Sequence, residues 1–317
     1  MIIMTFCRNS IIISLILIML VIYIWYLANI EYYHQILKFR EIPDFTRWIL
    51  SDKYVAKKYA KLLGFEVPKN YLLVKYPNQI VSGLTEKYSN LTNYVIKPVD
   101  LCDSGGIYLV KDNIDLRTNQ KINLLEVSQE LSSLRSKIGD EYYMHEKMFT
   151  GMVPYTGYLV EELLLDSEGN IPCDYKCYVF GGKLWFTAMT CHRRLEAGKQ
   201  IFNSVWLDRK GIPIKYPMIK KRYNYSKVVL PPEYQKMKEL VENAGKKLGR
   251  HCRIDVYLLN GKVYLGEFTF FCGARLHTRI SNLRLGWRWY QNPDDYTLED
   301  IRLKELVPTF YNLPSGI

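Results

Sequence analysis

The chain has 317 residues, seven scattered cysteines and a formal net charge of +11. Such a length buries a sizeable core in one or two domains, which excludes a small disulfide-stapled scaffold, and the odd, unpaired cysteines predict reduced thiols in a cytosol-like compartment. The basic excess predicts attraction to anions, but the densest run, Lys215 to Lys227, carries no aromatic-basic pattern, so no specific nucleic-acid partner is expected.

From Ile11 to Ala28 the sequence is almost wholly apolar, with Ser14 the main interruption. About 18 such residues begin to span a bilayer, so a single-pass membrane anchor is predicted. The run ends without a small-residue cleavage pattern, which disfavours a signal peptide. Arg8 precedes it while Lys38, Arg40 and Arg47 follow, and this bias places the larger C-terminal part in the cytosol.

An amphipathic connector, residues 31–45, leads to Ser51-Asp52, a cap for a helix from Lys53 to Leu63 that Gly64 ends. A short strand, Tyr71–Val74, follows. The next strand, Thr92–Pro98, carries Lys97 near its end, and a loop containing Ser104, Gly105 and Gly106 joins it to Ile107–Val110 as a hairpin flap. A lysine beside a glycine loop can hold nucleotide phosphates through an ammonium and backbone N–H groups, although the P-loop and dinucleotide spacings are absent. A polar helix is predicted over Leu124–Lys137.

Glu161-Glu162 closes a β-prone run, a place where a nucleotide base can meet the backbone of a linker between lobes; two exposed acids at a strand end are the other reading. In the strand Asp174–Phe180, alternation puts Asp174 and Lys176 on one face, suited to ribose and phosphate or equally to a salt bridge. Lys183–Thr190 is another strand. Arg193 and Arg194 follow it, one of them a candidate for neutralising a transferring phosphoryl group, and either equally a surface residue. A helix from Pro232 to Leu248 precedes two strands, Arg253–Leu259 and Lys262–Phe270, whose Asn260-Gly261 turn signal predicts a hairpin. That hairpin sets Asp255 beside Glu267. Two carboxylates on one face call for a cation, and hard oxygen donors suit Mg²⁺ holding phosphates; solvent-facing acids on an ordinary hairpin are the other reading of the same residues.

The order of these features resembles the ATP-grasp superfamily. Within it, Val160–Leu164, Ile171–Lys176, Val179–Lys183, Arg253–Tyr257 and Gly266–Phe270 are similar to the TupA-like branch, which is linked to teichuronopeptide and other surface-polysaccharide biosynthesis. The resemblance implies an α+β fold in which two lobes with antiparallel sheets grip ATP. It implies phosphate contacts from Lys97 and Lys176, a flap from Ser104 to Gly106, an adenine linker from Glu161 to Leu163, and Asp174 near the ribose. Arg253 and Arg193 would face the phosphoryl group, and Asp255, Glu267 and Thr269 would hold Mg²⁺. Thr269 stands where many ATP-grasp enzymes have Asn, and Asp100 where the branch often has His.

The expected organisation is an anchor over residues 1–30, a connector and α/β segment over 31–92, an ATP-grasp domain over 93–290 and a tail over 291–317. The expected activity is ATP- and Mg²⁺-dependent joining of a carboxylate to an amine through an acyl phosphate, on a glycan or an amino-acid or peptide acceptor. A glycosyltransferase or phosphotransferase in the same pathway is the alternative, as is a membrane-tethered nucleotide-binding module without turnover.

Overall fold

The computed structural model describes the chain apart from residues 1, 43, 102–104, 138–156, 197–198, 221–227, 272–275, 299–300 and 307–317. Four helices lead in: α1 (Ile2–Ile30), α2 (Tyr32–Glu41), α3 (Phe45–Leu50) and α4 (Lys53–Leu62). The first sheet gathers β1 (Asn70–Val74), β2 (Tyr94–Pro98), β3 (Tyr108–Lys111), β4 (Ile114–Asp115), β5 (Gln120–Lys121) and β6 (Tyr158–Glu162) in the order β1-β6-β2-β3-β4-β5. Helices α5 (Asn78–Ser82) and α6 (Leu124–Lys137) accompany it. The second sheet orders β7 (Asp174–Phe180), β8 (Lys183–Glu196), β9 (Lys199–Asp208), β10 (Cys252–Leu259) and β11 (Lys262–Thr269) as β11-β10-β7-β8-β9. Every strand pair in both sheets is antiparallel.

One face of the second sheet is apolar. Cys177, Val179, Ile254 and Val256 pack with Met237, Val241, Ala244 and Leu248 of α7 (Tyr234–Leu248), so alternation leaves the opposite face for Asp174, Lys176 and Asp255. The same core takes in α2 to α4 and Leu285 and Trp289 of α8 (Arg279–Gln291), whereas a smaller core lies between the first sheet and α5 and α6.

Helix α4 joins the two sheets. Asp52 caps it by accepting from the backbone N–H groups of Tyr54 and Val55, both at 2.8 Å, as the sequence predicts. Its first N–H, of Lys53, donates to the Val99 carbonyl just past β2, and Tyr59 packs on Phe268 of β11. Side chains leaving α4 therefore reach the space between the sheets.

Two expectations change. Cys173 and Cys191 form a disulfide with Cα atoms 4.4 Å apart, where reduced thiols were expected. The reason is register: Asp174 pairs with Thr190 across β7 and β8, which sets the flanking cysteines opposite one another, a pairing that an 18-residue separation hides. No single described helix is long and apolar enough to cross a membrane, but Ile11–Leu27 and Tyr32–Glu41, bent by 59°, meet that test as a pair.

Candidate active site

The first side of the cleft is built from buried lysines. Lys97 on β2 lies one strand away from Glu161 on β6, and its Nζ is 2.6 Å from Glu161 Oε1. Lys57 reaches the other oxygen of the same carboxylate from α4. Lys53, one turn earlier on α4, donates to the Leu101 carbonyl. All four of these side chains are buried. Burial lowers the Lys97 pKa to about 8; Lys53 adds to the fall, while the hydrogen bond with Lys57 and the charge of Glu267 oppose it. Lys57 is held well below the ordinary lysine value by burial and by the neighbouring Lys97. One carboxylate is shared by two buried lysines whose protonated forms burial disfavours, an arrangement that a bound anion would stabilise in its charged state.

The second side is a ladder of acids. Across the sheet, Asp255 is opposite Lys176 on β7 and opposite Glu267 on β11. Lys176 Nζ lies 2.6 Å from Asp255 Oδ2 and 2.7 Å from Asp174 Oδ2. Arg253 binds Asp255 in a fork, Nε to Oδ1 at 2.6 Å and Nη2 to Oδ2 at 2.7 Å, and the same Nη2 reaches Glu267 at 3.2 Å and Thr269 Oγ1 at 3.1 Å. Thr269 in turn donates to Glu267 at 2.8 Å. Burial works to raise the Asp255 pKa, but the charges of Arg253 and Lys176 outweigh it and the pKa falls. The acid therefore stays ionised.

A bulge makes this ladder possible. Asn260 and Gly261 take φ of 52° and 73°, as the predicted tight hairpin requires, and pairing then runs regularly from Leu259↔Lys262 to Val256↔Leu265. The next pair is Asp255↔Glu267, which leaves Gly266 as an extra residue. Leu265 thus faces the core with Val256 while Glu267 faces the cleft with Asp255, although both are odd-numbered positions of one strand. A Cβ on Gly266 would stand 3.0 Å from the Asp255 carbonyl oxygen.

Lys176, Arg253, Asp255, Glu267 and Thr269 thus form one bonded group with Asp174, and Lys97 lies within electrostatic reach of Glu267. The other expected residues are placed as follows. The side chain of Glu161 is a buried counter-ion of Lys57 and Lys97, because alternation turns it inward from β6. Glu162 accepts from the Lys69 N–H at 3.0 Å, and Leu163 is buried where the chain leaves the first sheet for β7. Gly106 has φ of 69°, and a Cβ there would meet Leu131 at 2.8 Å and Pro98 at 3.0 Å, so packing against α6 already requires glycine. Gly105 is half-buried beside it. Ser104 lies outside the described residues, as does the side chain of Arg193, whose backbone belongs to β8. Lys57 was missed by the sequence reading. Its signal was available, since Lys53 and Lys57 share a helical face with the core residues Ala56 and Ala60.

The donor set suits Mg²⁺. Among the described residues no cluster of three or more His, Cys, Asp and Glu forms a metal cage. Mg²⁺ instead takes one or two carboxylates and completes its shell with phosphate oxygens and water. A single Arg253 nitrogen already bridges Asp255 and Glu267, which marks the space between them as one where positive charge is stabilised.

A family model described as TupA-like ATPgrasp matches residues 34–282, which is most of the chain and spans both sides of this cleft. The chain belongs to the TupA-like ATP-grasp family. No curated protein matches it. Among solved structures it is similar to the D-alanine-D-alanine ligase of Helicobacter pylori (17% identity, TM-score 0.41, covering 77% of this chain and 61% of that one). It is also similar to the VanG D-Ala:D-Ser ligase of Enterococcus faecalis (18%, 0.44, 77% and 60%) and to the D-cycloserine synthetase DcsG (12%, 0.43, 77% and 70%). The chain spans about three fifths of the length of the first two.

Proposed function

We propose that the chain is an ATP-dependent carboxylate–amine ligase that activates its carboxylate as an acyl phosphate. The observation that carries this reading is the opposed charge of the two sides: Lys57 and Lys97 share Glu161, and across from them Asp255, Glu267 and Thr269 gather around Arg253. Lys97 and Lys57 bind the phosphates, and because both are desolvated their attraction for an anion is stronger than that of surface lysines. Asp255, Glu267 and Thr269 would hold Mg²⁺, which when bound neutralises phosphate charge. Arg253, anchored on Asp255, keeps a guanidinium beside the phosphoryl group, where it stabilises charge that develops during transfer. Lys176 holds Asp174 and Asp255 in place. The carboxylate oxygen attacks the terminal phosphorus and ADP leaves; the amine then attacks the acyl carbon, and phosphate leaves with formation of the amide.

The acceptor is proposed to be a glycan or an amino-acid or peptide conjugate of a surface polymer, in keeping with the family's name. The chain is proposed to be anchored in a membrane by its first helix, with the catalytic part in the cytosol. The support is exposure: apart from Ser14, Ile11 to Trp25 are all large apolar residues at 46% to 65% exposure, surface that water penalises. Recovery of the full chain in a salt-washed soluble fraction would overturn the anchor. The ligase reading is tested by measuring ADP release from the purified full chain against pairs of amino acids and uronic-acid glycans. Release that requires one carboxylate and one amine together supports it; release that requires only a sugar hydroxyl overturns it in favour of phosphotransfer.

A further inference from the structure

Helix α8 carries three arginines and no acid, in the sequence RISNLRLGWRWYQ. Its inner face is locked to the foot of α1. Gly286 lies so close to the α1–α2 joint that an added Cβ would stand 1.7 Å from the Ile30 carbonyl oxygen. Gln35 bridges the two elements by donating to the carbonyls of Ile30 and Gly286, both at 2.8 Å. The apolar helix is therefore clamped onto the domain at its base, which fixes which surface of the domain lies beside it.

That surface is aromatic and basic. Tyr26, near the end of α1, lies 6.1 Å from Trp287, which stacks on Tyr290 at 5.9 Å and 20°. Ile280, Trp287 and Tyr290 are exposed, and Arg279 and Arg284 are exposed beside them. Lys38 of α2 adds an ammonium at the foot of α1, donating to Asn29 at 2.7 Å. Trp and Tyr favour the headgroup level of a bilayer, and Arg and Lys there favour anionic lipid. A helix with this composition on its outer face has the character of one that lies in the interface plane.

We propose that the outer face of α8 is a lipid-contact surface, seated among the headgroups of the anionic membrane in which α1 is anchored. It rests on the anchor reading: α1 supplies the attachment, and α8 sets the orientation of the domain against the lipid. Direct continuity from Tyr26 to Trp287 to Tyr290 selects lipid over a protein partner as the occupant.

The test uses the full chain in vesicles, with brominated lipid as a quencher of tryptophan fluorescence, in zwitterionic membranes and in membranes with roughly a third of phosphatidylglycerol. Comparison with Trp25→Phe and Trp287→Phe isolates the share of quenching from each ring. Both shares are expected in anionic vesicles, and Arg279→Glu combined with Arg284→Glu should cut the Trp287 share by about half or more there while leaving the Trp25 share unchanged. A Trp25 share without a Trp287 share overturns the α8 surface and leaves the anchor intact. Loss of both shares overturns the anchor reading itself. A Trp287 share that charge reversal does not alter overturns the role of anionic headgroups.

Discussion

On the first sheet, Lys57 and Lys97 share the single carboxylate of Glu161 with Lys53 close by, whereas on the second sheet three carboxylates, Asp174, Asp255 and Glu267, share one lysine and one arginine. Each side is close to internal balance but errs in the opposite direction. The cationic side is the more buried, so its excess charge is the less screened and is satisfied most fully by a bound anion. The acidic side is bonded through short contacts and half open at Glu267, where a cation has access. On the proposed reading, nucleotide phosphates and Mg²⁺ would answer the two excesses together, a need that a salt bridge built only for stability would not have.

The largest expected effect removes the shared acid of the cationic side. Glu161→Gln removes the one carboxylate that pairs with both buried lysines, Lys57 and Lys97, and loss of one partner from a buried ion pair costs roughly 3–5 kcal/mol. A large fall in the denaturant midpoint is expected, and saturating ATP should recover part of it, because phosphates supply the missing negative charge. An unchanged midpoint would show that Glu161 does not balance these lysines. On the acidic side, Glu267→Gln keeps size and removes charge. Turnover should fall by roughly two orders of magnitude or more, as expected when the charge that balances a catalytic metal is lost. Metal-free ATP binding should hold or strengthen, since a carboxylate repels phosphates. Near-normal Mg²⁺-dependent turnover would remove Glu267 from the metal site.

A pH profile sharpens the contrast between the sides. Lys97, lowered to about 8 by burial and by Lys53, loses its ammonium just above neutrality, whereas Asp255 stays ionised throughout that range. The kcat/KM for ATP should therefore fall above pH 8 by about tenfold per unit, with kcat less affected because bound phosphates raise the lysine pKa. Stability moves the other way: between about 8 and 10.5 the folded chain binds fewer protons at this group than the unfolded chain, so its contribution rises with pH across that window. A profile flat to pH 10 would contradict the burial of Lys97 in the free enzyme.

Sequence reading reached the acidic side more fully than the cationic one, for a physical reason. Asp255 and Glu267 are twelve residues apart and joined by one turn, so Asn260-Gly261 alone brings them together. Lys57, Lys97 and Glu161 come from a helix and two strands separated by long stretches of chain, and nothing local announces that they share a point. That Glu161 closes a strand does not say which face its side chain takes, so its pairing with Lys57 and Lys97 is not legible from its position in the run. The Cys173–Cys191 disulfide was hidden in the same way, since it follows from a strand register rather than from spacing.

The smallest expected effect concerns the residue on which the acidic side depends without contributing a charge to it. Gly266 is the extra residue that lets Leu265 face the core and Glu267 face the cleft. In Gly266→Ala the new methyl meets the Asp255 carbonyl oxygen at 3.0 Å, and that oxygen belongs to backbone that can shift only by disturbing the ladder. A cost of about 1–3 kcal/mol follows from overpacking. The shift should also misplace Glu267 relative to Asp255, so the Mg²⁺ concentration giving half-maximal ADP release should rise several-fold, while ATP affinity measured without metal stays unchanged. Equal losses in both would mean that the strand had merely been destabilised, and an unchanged Mg²⁺ dependence would show that the bulge is not what aligns the two carboxylates.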